Sequence, residues 1–426
     1  RSAKQLHDPV RLTRAALASF RGWSSDVVGV DDEKVMMIEA ALDAIGPTSS
    51  APRSRLLTNL CVELGPGGDD DRILSTARMA VDTARGVGDP ELLLDALGTI
   101  GAAYPPPCHL AERAAAAAEG LELVPRVSDP RLQFAAIARQ FHVAVSTGDL
   151  AECDRMLAKA DRIASRTRGR VRTAHAARFH LTLSLLRGDI DEAKRLTTEM
   201  PALAQAAAEP DPTHYARIAS GAILGARDRF QVIVDFMDKE PDDRATHTPY
   251  ELCTLAWAAA ECGRYDRARV ELTRIVRMVE KNAHSRTIAP GIPRAARAAA
   301  LISDENGAAV LYDMMSRWDD LVVGLSPAHD GPTAGFLGLL ATELEKYGDA
   351  ERHFTNAEAL CDRMGTRLFM AHNDVDHARM LSRRRARGDH DHARTLLDRA
   401  LAIAAAHGYQ AVQRHGDDIL TRLDRA

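Results

Sequence analysis

Apolar residues recur every three or four positions along nearly the whole chain, and short polar turns interrupt them. The turns include GVGDP, VSDP, STGD and LRGD. A period of three to four residues places apolar side chains along one face of a helix, whereas runs with the alternation of a β-strand are essentially absent. The pattern therefore predicts an all-α chain of about twenty helices, most of them about ten to eighteen residues long.

One unit recurs along this helical pattern. It consists of a turn glycine, a polar residue and then a small residue that opens an apolar-periodic helix. The clearest copies are GDLAECDRMLAKADRIA, GDIDEAKRLTTEMPALA, GRYDRARVELTRIVRMV and GDHDHARTLLDRALAIA. The small or apolar residue is the anchor of each unit, and the predicted anchors are Cys153, Ala193, Ala268 and Ala393, with weaker copies at Val35, Leu74, Ala114, Phe230, Ala308 and Ala350. Successive anchors lie roughly 40 residues apart, so about ten repeats of two antiparallel helices cover the chain.

A helix pair cannot bury its apolar face alone, so neighbouring repeats must stack. The pattern predicts a right-handed α-solenoid of tetratricopeptide-like helix pairs, forming a single superhelical domain over residues 1–426. The repeats are weaker in residues 1–130 and clearer in 131–426. Small anchors fit where two helices cross closely.

The turns carry two further predictions. The turn glycine should be left-handed, and the aspartate after it, Asp389 in the last copy, should cap the next helix. In LEKYGDAERHF, Glu345 stands where the turn glycine is expected, which predicts a turn of different shape.

Stacked pairs present their first helices along a concave groove. Positions about eleven or fifteen residues before each anchor should face it, and some lie one turn further back. The candidate ligand or partner residues are His142, Arg178, Tyr215, Trp257 and Arg297, with His175 and Tyr250. This mixed aromatic and basic stripe would suit an extended peptide, an acidic segment or a small molecule with a ring and an anionic group. Core packing is the alternative, above all for Trp257.

Composition narrows the class of protein. The 426 residues are 46% hydrophobic and carry a net charge of -5, which provides a sizeable core and no general basic footprint for nucleic acid. The six cysteines are scattered singly, as expected in the reducing cytoplasm. No apolar run approaches the length of a membrane span. Because the sequence starts without Met, we expect a fragment of a longer chain.

Histidines and aspartates near the C-terminus resemble a metal site in composition only. His372 and His377 are five residues apart, a spacing that turns their rings away from each other on a helix. His390 and His392 fall in a turn, so we expect helix caps and solvated faces and no metal.

Other motifs of chemistry are weak or missing. Neither a GxxxxGK(S/T) phosphate loop nor a GxSxG elbow nor HExxH occurs in these residues. The basic run at 382–388 is expected to complement a helix end, and GPGGDDD at 65–71 is expected to be an inter-repeat turn. We therefore expect no catalysis and no cofactor.

The order DPVRLTRAALASFRGW, GDLAECDRMLAKAD, LYDMMSRWDDLVVG and the long block from GPTAGFLGLL to SRRRARGD resembles the MalT-like tetratricopeptide sensor region of bacterial multidomain signal-transduction ATPases. The resemblance covers the chain nearly end to end. It implies an all-α superhelix that senses an inducer or partner and restrains an attached ATPase. Such regions accompany a nucleotide cyclase domain or a LuxR-type helix-turn-helix, so ATPase or cyclase activity would belong to other domains of the parent protein.

Two hypotheses follow for these residues. The first is a non-catalytic module of a transcription regulator that binds an effector protein, peptide or small molecule in its groove and controls the parent ATPase. It would make no direct contact with nucleic acid or membrane. The alternative is a passive scaffold or oligomerisation arm, and the oligomeric state stays open.

Overall fold

The computed structural model describes residues 8–18, 31–65, 70–103, 107–239, 248–281 and 288–425. These residues form 21 α-helices and one short β-hairpin, so the prediction of an all-α chain is confirmed. The helices are α1 (Pro9–Ala18), α2 (Asp32–Ile45), α3 (Ala51–Leu64), α4 (Asp70–Val87), α5 (Pro90–Ala103), α6 (Leu110–Leu123), α7 (Pro130–Thr147), α8 (Leu150–Thr167), α9 (Arg170–Arg187), α10 (Ile190–Ala206), α11 (His214–Ala226), α12 (Phe230–Lys239), α13 (Pro249–Glu261), α14 (Tyr265–Lys281), α15 (Ile292–Leu301), α16 (Glu305–Met315), α17 (Thr333–Glu343), α18 (Tyr347–Met364), α19 (Arg367–Arg384), α20 (Asp389–His407) and α21 (Gln410–Leu423). The strands are β1 (Val322–Leu325) and β2 (Ala328–Pro332).

The predicted anchors mark one recurring position in these helices. The fourth residues of α8, α10, α14, α16 and α18 are fully buried, and they are Cys153, Ala193, Ala268, Ala308 and Ala350. A methyl or thiol side chain at this position lets a neighbouring helix approach closely. Ala393 in α20 is equally buried.

In the N-terminal repeats the predicted register is wrong at two positions. Leu74 and Ala114 are only half-buried, whereas the preceding residues, Ile73 and Arg113, are 0% and 5% exposed. Both helices begin one residue earlier than the pattern indicates, so the buried fourth position is Ile73 in α4 and Arg113 in α6.

The turn glycines behave as predicted, with two differences nearby. Gly188 and Gly388 have φ of +77° and +89°, a region that costs glycine little. Glu345 adopts φ +56°, so this turn keeps the left-handed shape and the prediction of a different turn is wrong. The predicted cap at Asp389 is also wrong, because its carboxylate accepts hydrogen bonds from the Ala386 N–H (2.7 Å) and Arg384 (2.8 Å), in the preceding turn.

The described chain groups into two compact units. Unit 1 comprises Arg1–Ala144, Ala151–Ala176 and Ala204–Asp211, and unit 2 comprises Val145–Leu150, Ala177–Leu203 and Pro212–Ala426. In unit 1 the core is a continuous apolar cluster that includes Ile38, Leu56 and Leu94. The single superhelical domain over residues 1–426 stays a prediction.

Within unit 2, alternate helices pack against one another. Helix α13 contacts α15, α15 contacts α17, α17 contacts α19 and α19 contacts α21, while α13, α17 and α19 also pack on the helix that follows each of them. The first helices of successive pairs therefore pack side by side in unit 2.

The last helices of unit 2 also return to its first segments. The Tyr409 hydroxyl donates to the Gly188 carbonyl at 2.7 Å, and the Thr366 hydroxyl donates to the Leu186 carbonyl at 2.6 Å. A linear stack makes contacts between neighbouring repeats only. Unit 2 differs from that expectation because contacts between distant segments also hold it together.

The β-hairpin was not predicted. Strands β1 and β2 are antiparallel, with Val322 opposite Pro332 and Gly324 opposite His329. Each strand is too short to show an alternating pattern, and Val322 and Val323 are fully buried. The hairpin places His329 and Asp330 beside the helices of unit 2.

Across the described parts of the chain, no helix is both long and apolar enough to cross a membrane.

Candidate functional site

A cavity lies inside unit 2, and the alternate helices build its wall. Helices α9, α11, α13, α15, α17 and α19 all contribute, together with strand β2 and the first residue of α10. Its volume is about 590 Å³, a figure that includes space open to solvent. The lining residues are Leu185, Ile190, Ala222, Gly225, Ala226, Trp257, Arg294, Arg297, His329, Asp330, Phe336, Leu368, Phe369 and His372.

Helix α13 supplies an aromatic face behind and beside the cavity. A capping box starts the helix, because the Thr248 hydroxyl accepts from the Glu251 N–H while the Glu251 carboxylate accepts from the Thr248 N–H. Tyr250, Thr254 and Trp257 then follow at spacings of four and three residues, which places them on one face. All three are buried.

Arg294 on α15 contacts this face of α13. Its side chain is 2% exposed; Nη1 donates to Thr254 Oγ1 at 2.8 Å and Nε donates to Asp330 Oδ1 at 3.0 Å. The guanidinium carbon lies 4.6 Å from the Tyr250 ring centroid and 5.6 Å from that of Trp257. Burial lowers the pKa of Arg294, but the carboxylate of Asp330 and other neighbours outweigh it and leave the pKa raised. The arginine is therefore held as a cation in the cavity wall.

Three polar atoms of this wall are buried without a hydrogen-bond partner among the described residues. They are Nη2 of Arg294, Oδ2 of Asp330 and Nδ1 of His329. An unsatisfied buried polar atom costs about 1–3 kcal/mol. Burial lowers the pKa of His329 to about 4, although a hydrogen bond to the Pro327 backbone raises it, so the ring is neutral at pH 7. A molecule that reached these atoms with groups of the right polarity would remove that cost.

Arg297 and His372 complete the polar wall. Arg297 pairs with Asp376 at 3.2 Å, and its guanidinium carbon lies 5.2 Å from the Phe336 ring centroid. Burial and the charge of Arg297 hold the pKa of His372 well below its ordinary value. His372 is therefore also neutral at pH 7.

Trp257 is fixed from three sides. Its Nε1 donates to Glu261 at 3.0 Å, and its ring meets that of Phe230 edge to face at 4.9 Å between centroids. A Cβ atom on Gly225 would lie 2.6 Å from the indole Cη2. The indole therefore packs directly on the backbone of α11.

This contact predicts a difference between two glycines of α11. Gly225→Ala should destabilise the protein by about 1–3 kcal/mol, because the new methyl group overlaps Trp257. Gly221→Ala is the matched control, since its Cβ would meet nothing nearer than Arg294 Nη1 at 3.9 Å, and it should stabilise the helix by up to about 1 kcal/mol. Urea unfolding of both variants measures the difference. Equal stabilisation by both alanines would contradict this packing of Trp257.

The groove residues expected from the sequence separate into groups. Trp257 and Arg297 line the cavity, and Tyr250 lies behind it against Arg294. Arg178 and Tyr215 contact each other, with the guanidinium carbon 4.0 Å from the ring centroid, but neither is a lining residue.

His142 and His175 belong to unit 1. The His142 ring lies 5.7 Å from that of Phe141, and the His175 ring lies 6.0 Å from that of Phe134. Of the seven candidates, Trp257 and Arg297 are the ones that line the unit 2 cavity.

Sequence reasoning missed most of the polar wall. Arg294 lies three residues before the candidate Arg297 and shares its helix face, a signal that would have found it. His329 and Asp330 gave no signal because they lie in the unpredicted hairpin. Phe336 and Phe369 read as ordinary core residues of apolar helices.

Of the histidines considered for a metal, His377 and His392 have ring contacts. His377 stacks on Phe354 with 5.1 Å between centroids, and its edge contacts His392 at 5.3 Å. The described residues contain no group of three or more histidines, cysteines or carboxylates that could hold a metal ion. Burial, with a smaller contribution from His392, lowers the pKa of His377 to about 4.

The buried histidines predict acid sensitivity. His329 and His377 have folded-state pKa values of about 4, below the unfolded value of about 6.5. Their contribution to stability is present above pH 6.5 and is lost as the pH falls towards 4, at roughly 2 kcal/mol per group between pH 7.5 and pH 5. Urea unfolding at the two pH values should show this loss.

Two variants assign the acid sensitivity. His377→Phe keeps a ring on Phe354 and should lose less stability on acidification than the wild type. His390→Asn, at a side chain 54% exposed, should leave the pH dependence unchanged. A His377→Phe profile identical to that of the wild type would contradict the assignment.

Two further segments of the sequence are rich in arginine or in glycine and aspartate. In the basic run, Arg383 pairs with Glu343 at 2.6 Å and Arg384 with Glu351 at 2.6 Å, so both arginines bind within the fold. Of the segment at 65–71, residues 66–69 lie outside the described residues.

Comparison with protein-family models and with curated proteins finds no match to this chain.

Proposed function

We propose that this chain is a non-catalytic sensor module of a bacterial signal-transduction regulator, and that a small-molecule effector binds in the unit 2 cavity. The bound effector would control an attached ATPase and its output domain in the cytoplasm, as the resemblance in sequence implies. The right-handed α-solenoid of tetratricopeptide-like pairs is part of this proposal. Buried anchors at one helix position and the packing of alternate helices support it.

The observation that carries the proposal is that many helices of unit 2 together form the cavity wall. Its residues extend from Leu185 to His372 and come from six alternate helices. An occupant would contact all of these helices, so its binding would favour one arrangement of their packing over others. A ligand shifts a conformational equilibrium only by its differential affinity for the two states. Because many repeats form this cavity, a change in their packing would change the affinity of the cavity for its ligand.

The character of the cysteines agrees with a binding role. Burial raises the pKa of Cys253 and of Cys361 to about 12. A thiol of that pKa is almost fully protonated at pH 7 and is a poor nucleophile. Both side chains serve as small apolar groups in the packing.

One surface supports the alternative of an oligomerisation arm. Val232 and Phe236 lie one turn apart on α12 and are 41% and 52% exposed. Exposed apolar pairs of this kind occur at contacts between subunits. Light scattering of the protein over a range of concentrations would detect assembly, and assembly without any ligand response would favour this alternative.

The sensor proposal predicts stabilisation by a cell metabolite. The small-molecule fraction of a bacterial extract should raise the Tm of the wild type, since ligand binding stabilises the folded state. Ala222→Phe fills the cavity and should abolish the increase, while Met278→Phe, at an exposed position on α14, should retain it. Ala222→Leu provides a smaller obstruction if the phenylalanine variant does not fold. An increase that persists in both cavity variants would place the effector elsewhere and contradict the proposal.

A further inference from the structure

The unpartnered atoms in the cavity wall have a definite hydrogen-bonding character. Arg294 Nη2 is a donor, and Oδ2 of Asp330 is an acceptor when the carboxyl is ionised, a state that burial disfavours by raising the pKa of Asp330 and that the Arg294 charge favours. The two residues are joined through Nε and Oδ1 at 3.0 Å, so the unused donor and acceptor belong to one ion pair. A molecule that satisfies both must offer an acceptor and a donor side by side.

His329 provides a second acceptor, which a hydrogen-bond donor of the bound molecule could satisfy. Its ring already forms a hydrogen bond to the Pro327 backbone carbonyl. That bond places the ring proton on the bonded nitrogen and leaves Nδ1, which is unpartnered within the described structure, as an acceptor. The cavity wall therefore holds two unused acceptors, Asp330 Oδ2 and His329 Nδ1, and one unused donor, Arg294 Nη2.

The charges of the cavity argue against a simple anion. Arg294 is matched by Asp330 at 3.0 Å and Arg297 by Asp376 at 3.2 Å. Within the described lining these pairs leave no uncompensated charge, because His329 and His372 are neutral. An anion would lose its hydration and would face the oxygen of Asp330, whereas a neutral polar group would not.

The remaining walls are aromatic. Trp257 uses its Nε1–H on Glu261 at 3.0 Å, so it offers only its ring to the cavity. Phe336 and Phe369 also line the cavity. Flat apolar walls of this kind favour a planar ring, which packs by stacking or edge contacts.

We infer that the cavity binds a planar heteroaromatic lactam, whose carbonyl oxygen accepts from Arg294 and whose adjacent N–H donates to Asp330. This inference rests on the proposed function in one respect, because it takes the cavity to be the effector site. The same pattern of a carbonyl beside an N–H occurs along one edge of many oxygenated nitrogen heterocycles. The hydrogen-bonding pattern of the cavity therefore narrows the proposed effector to oxygenated nitrogen heterocycles.

The test uses two probe compounds that differ by one methyl group. We expect 2-pyridone to bind the full chain in a titration that is monitored by saturation-transfer NMR. The methylated compound, 1-methyl-2-pyridone, should bind at least tenfold more weakly because it lacks the N–H that donates to Asp330. Benzoate serves as the anionic probe and should also bind at least tenfold more weakly. Ala222→Phe should abolish the signal of 2-pyridone.

The outcomes separate this inference from the proposed function. Equal binding of the methylated compound, tighter binding of benzoate, or no binding of 2-pyridone would each overturn the lactam assignment. If the Tm increase in extract is still lost in Ala222→Phe, the effector site itself stands and only its chemistry is wrong. If that increase persists in the cavity variants, both inferences fail.

Discussion

Replacing Glu261 with alanine should destabilise the protein by about 3 kcal/mol at pH 7. The Glu261 side chain is 2% exposed and accepts hydrogen bonds from Arg414 at 2.7 Å, His415 at 2.8 Å and Trp257 at 3.0 Å. Burial raises its pKa, but His415 and Arg414 outweigh that effect and hold the pKa at about 2. A depression of about two units corresponds to roughly 3 kcal/mol of stability.

The pH dependence of this effect has a defined sign. Because the folded pKa of Glu261 lies below the unfolded value, its contribution is present above about pH 4.5 and is lost as the pH falls towards 2. The gap between wild type and Glu261→Ala should therefore close over that range. Glu280→Ala, at an exposed residue of α14, is the control and should change stability by less than about 0.5 kcal/mol. A loss of that small size at Glu261 would contradict its role in joining α13 to α21.

Arg294→Met should destabilise the protein by about 3–5 kcal/mol, because it leaves the carboxylate of Asp330 in the cavity wall without its ion-pair partner. Asp330→Leu should be similarly destabilising, since it leaves Arg294, a side chain 2% exposed, as a lone buried cation. The double variant should recover most of the loss, because apolar pairs often replace buried ion pairs at little cost. Urea unfolding of the four proteins completes the cycle.

Hydrogen exchange shows which helices lose stability in these variants. The single variants should increase exchange in peptides from α13 and α15, which the Arg294 hydrogen bonds join, and the double variant should restore protection there. Additive losses in the double variant would mean that Arg294 and Asp330 do not act as a pair. The double variant also separates folding from recognition, since it should fold and yet lose the preference for 2-pyridone over its methylated form.

Local signals in the sequence predicted the helical part of this fold well. Gly188 ends α9 and Gly388 precedes α20, both in the left-handed conformation that few other residues adopt cheaply, and the small side chains of Cys153 and Ala193 are fully buried. These features depend on a few adjacent residues, so one sequence reveals them. The same reasoning was wrong by one residue at Leu74 and Ala114, where weak turn signals define the start of the helix poorly.

The site depends on contacts that local patterns do not contain. Arg294 meets Asp330 through a hairpin with strands of four and five residues, and Tyr409 meets Gly188 across most of unit 2. The polarity of the cavity arises only when these segments come together. Of the residues expected in an aromatic and basic stripe, Trp257 and Arg297 line the cavity.

The most direct test of the sensor proposal is a crystal structure of the protein after soaking in the small-molecule fraction of a bacterial extract. The proposal predicts density for one planar molecule in the unit 2 cavity, against Trp257 and within hydrogen-bond distance of Arg294 and Asp330. Density for the effector at another place, with the cavity empty, would contradict it.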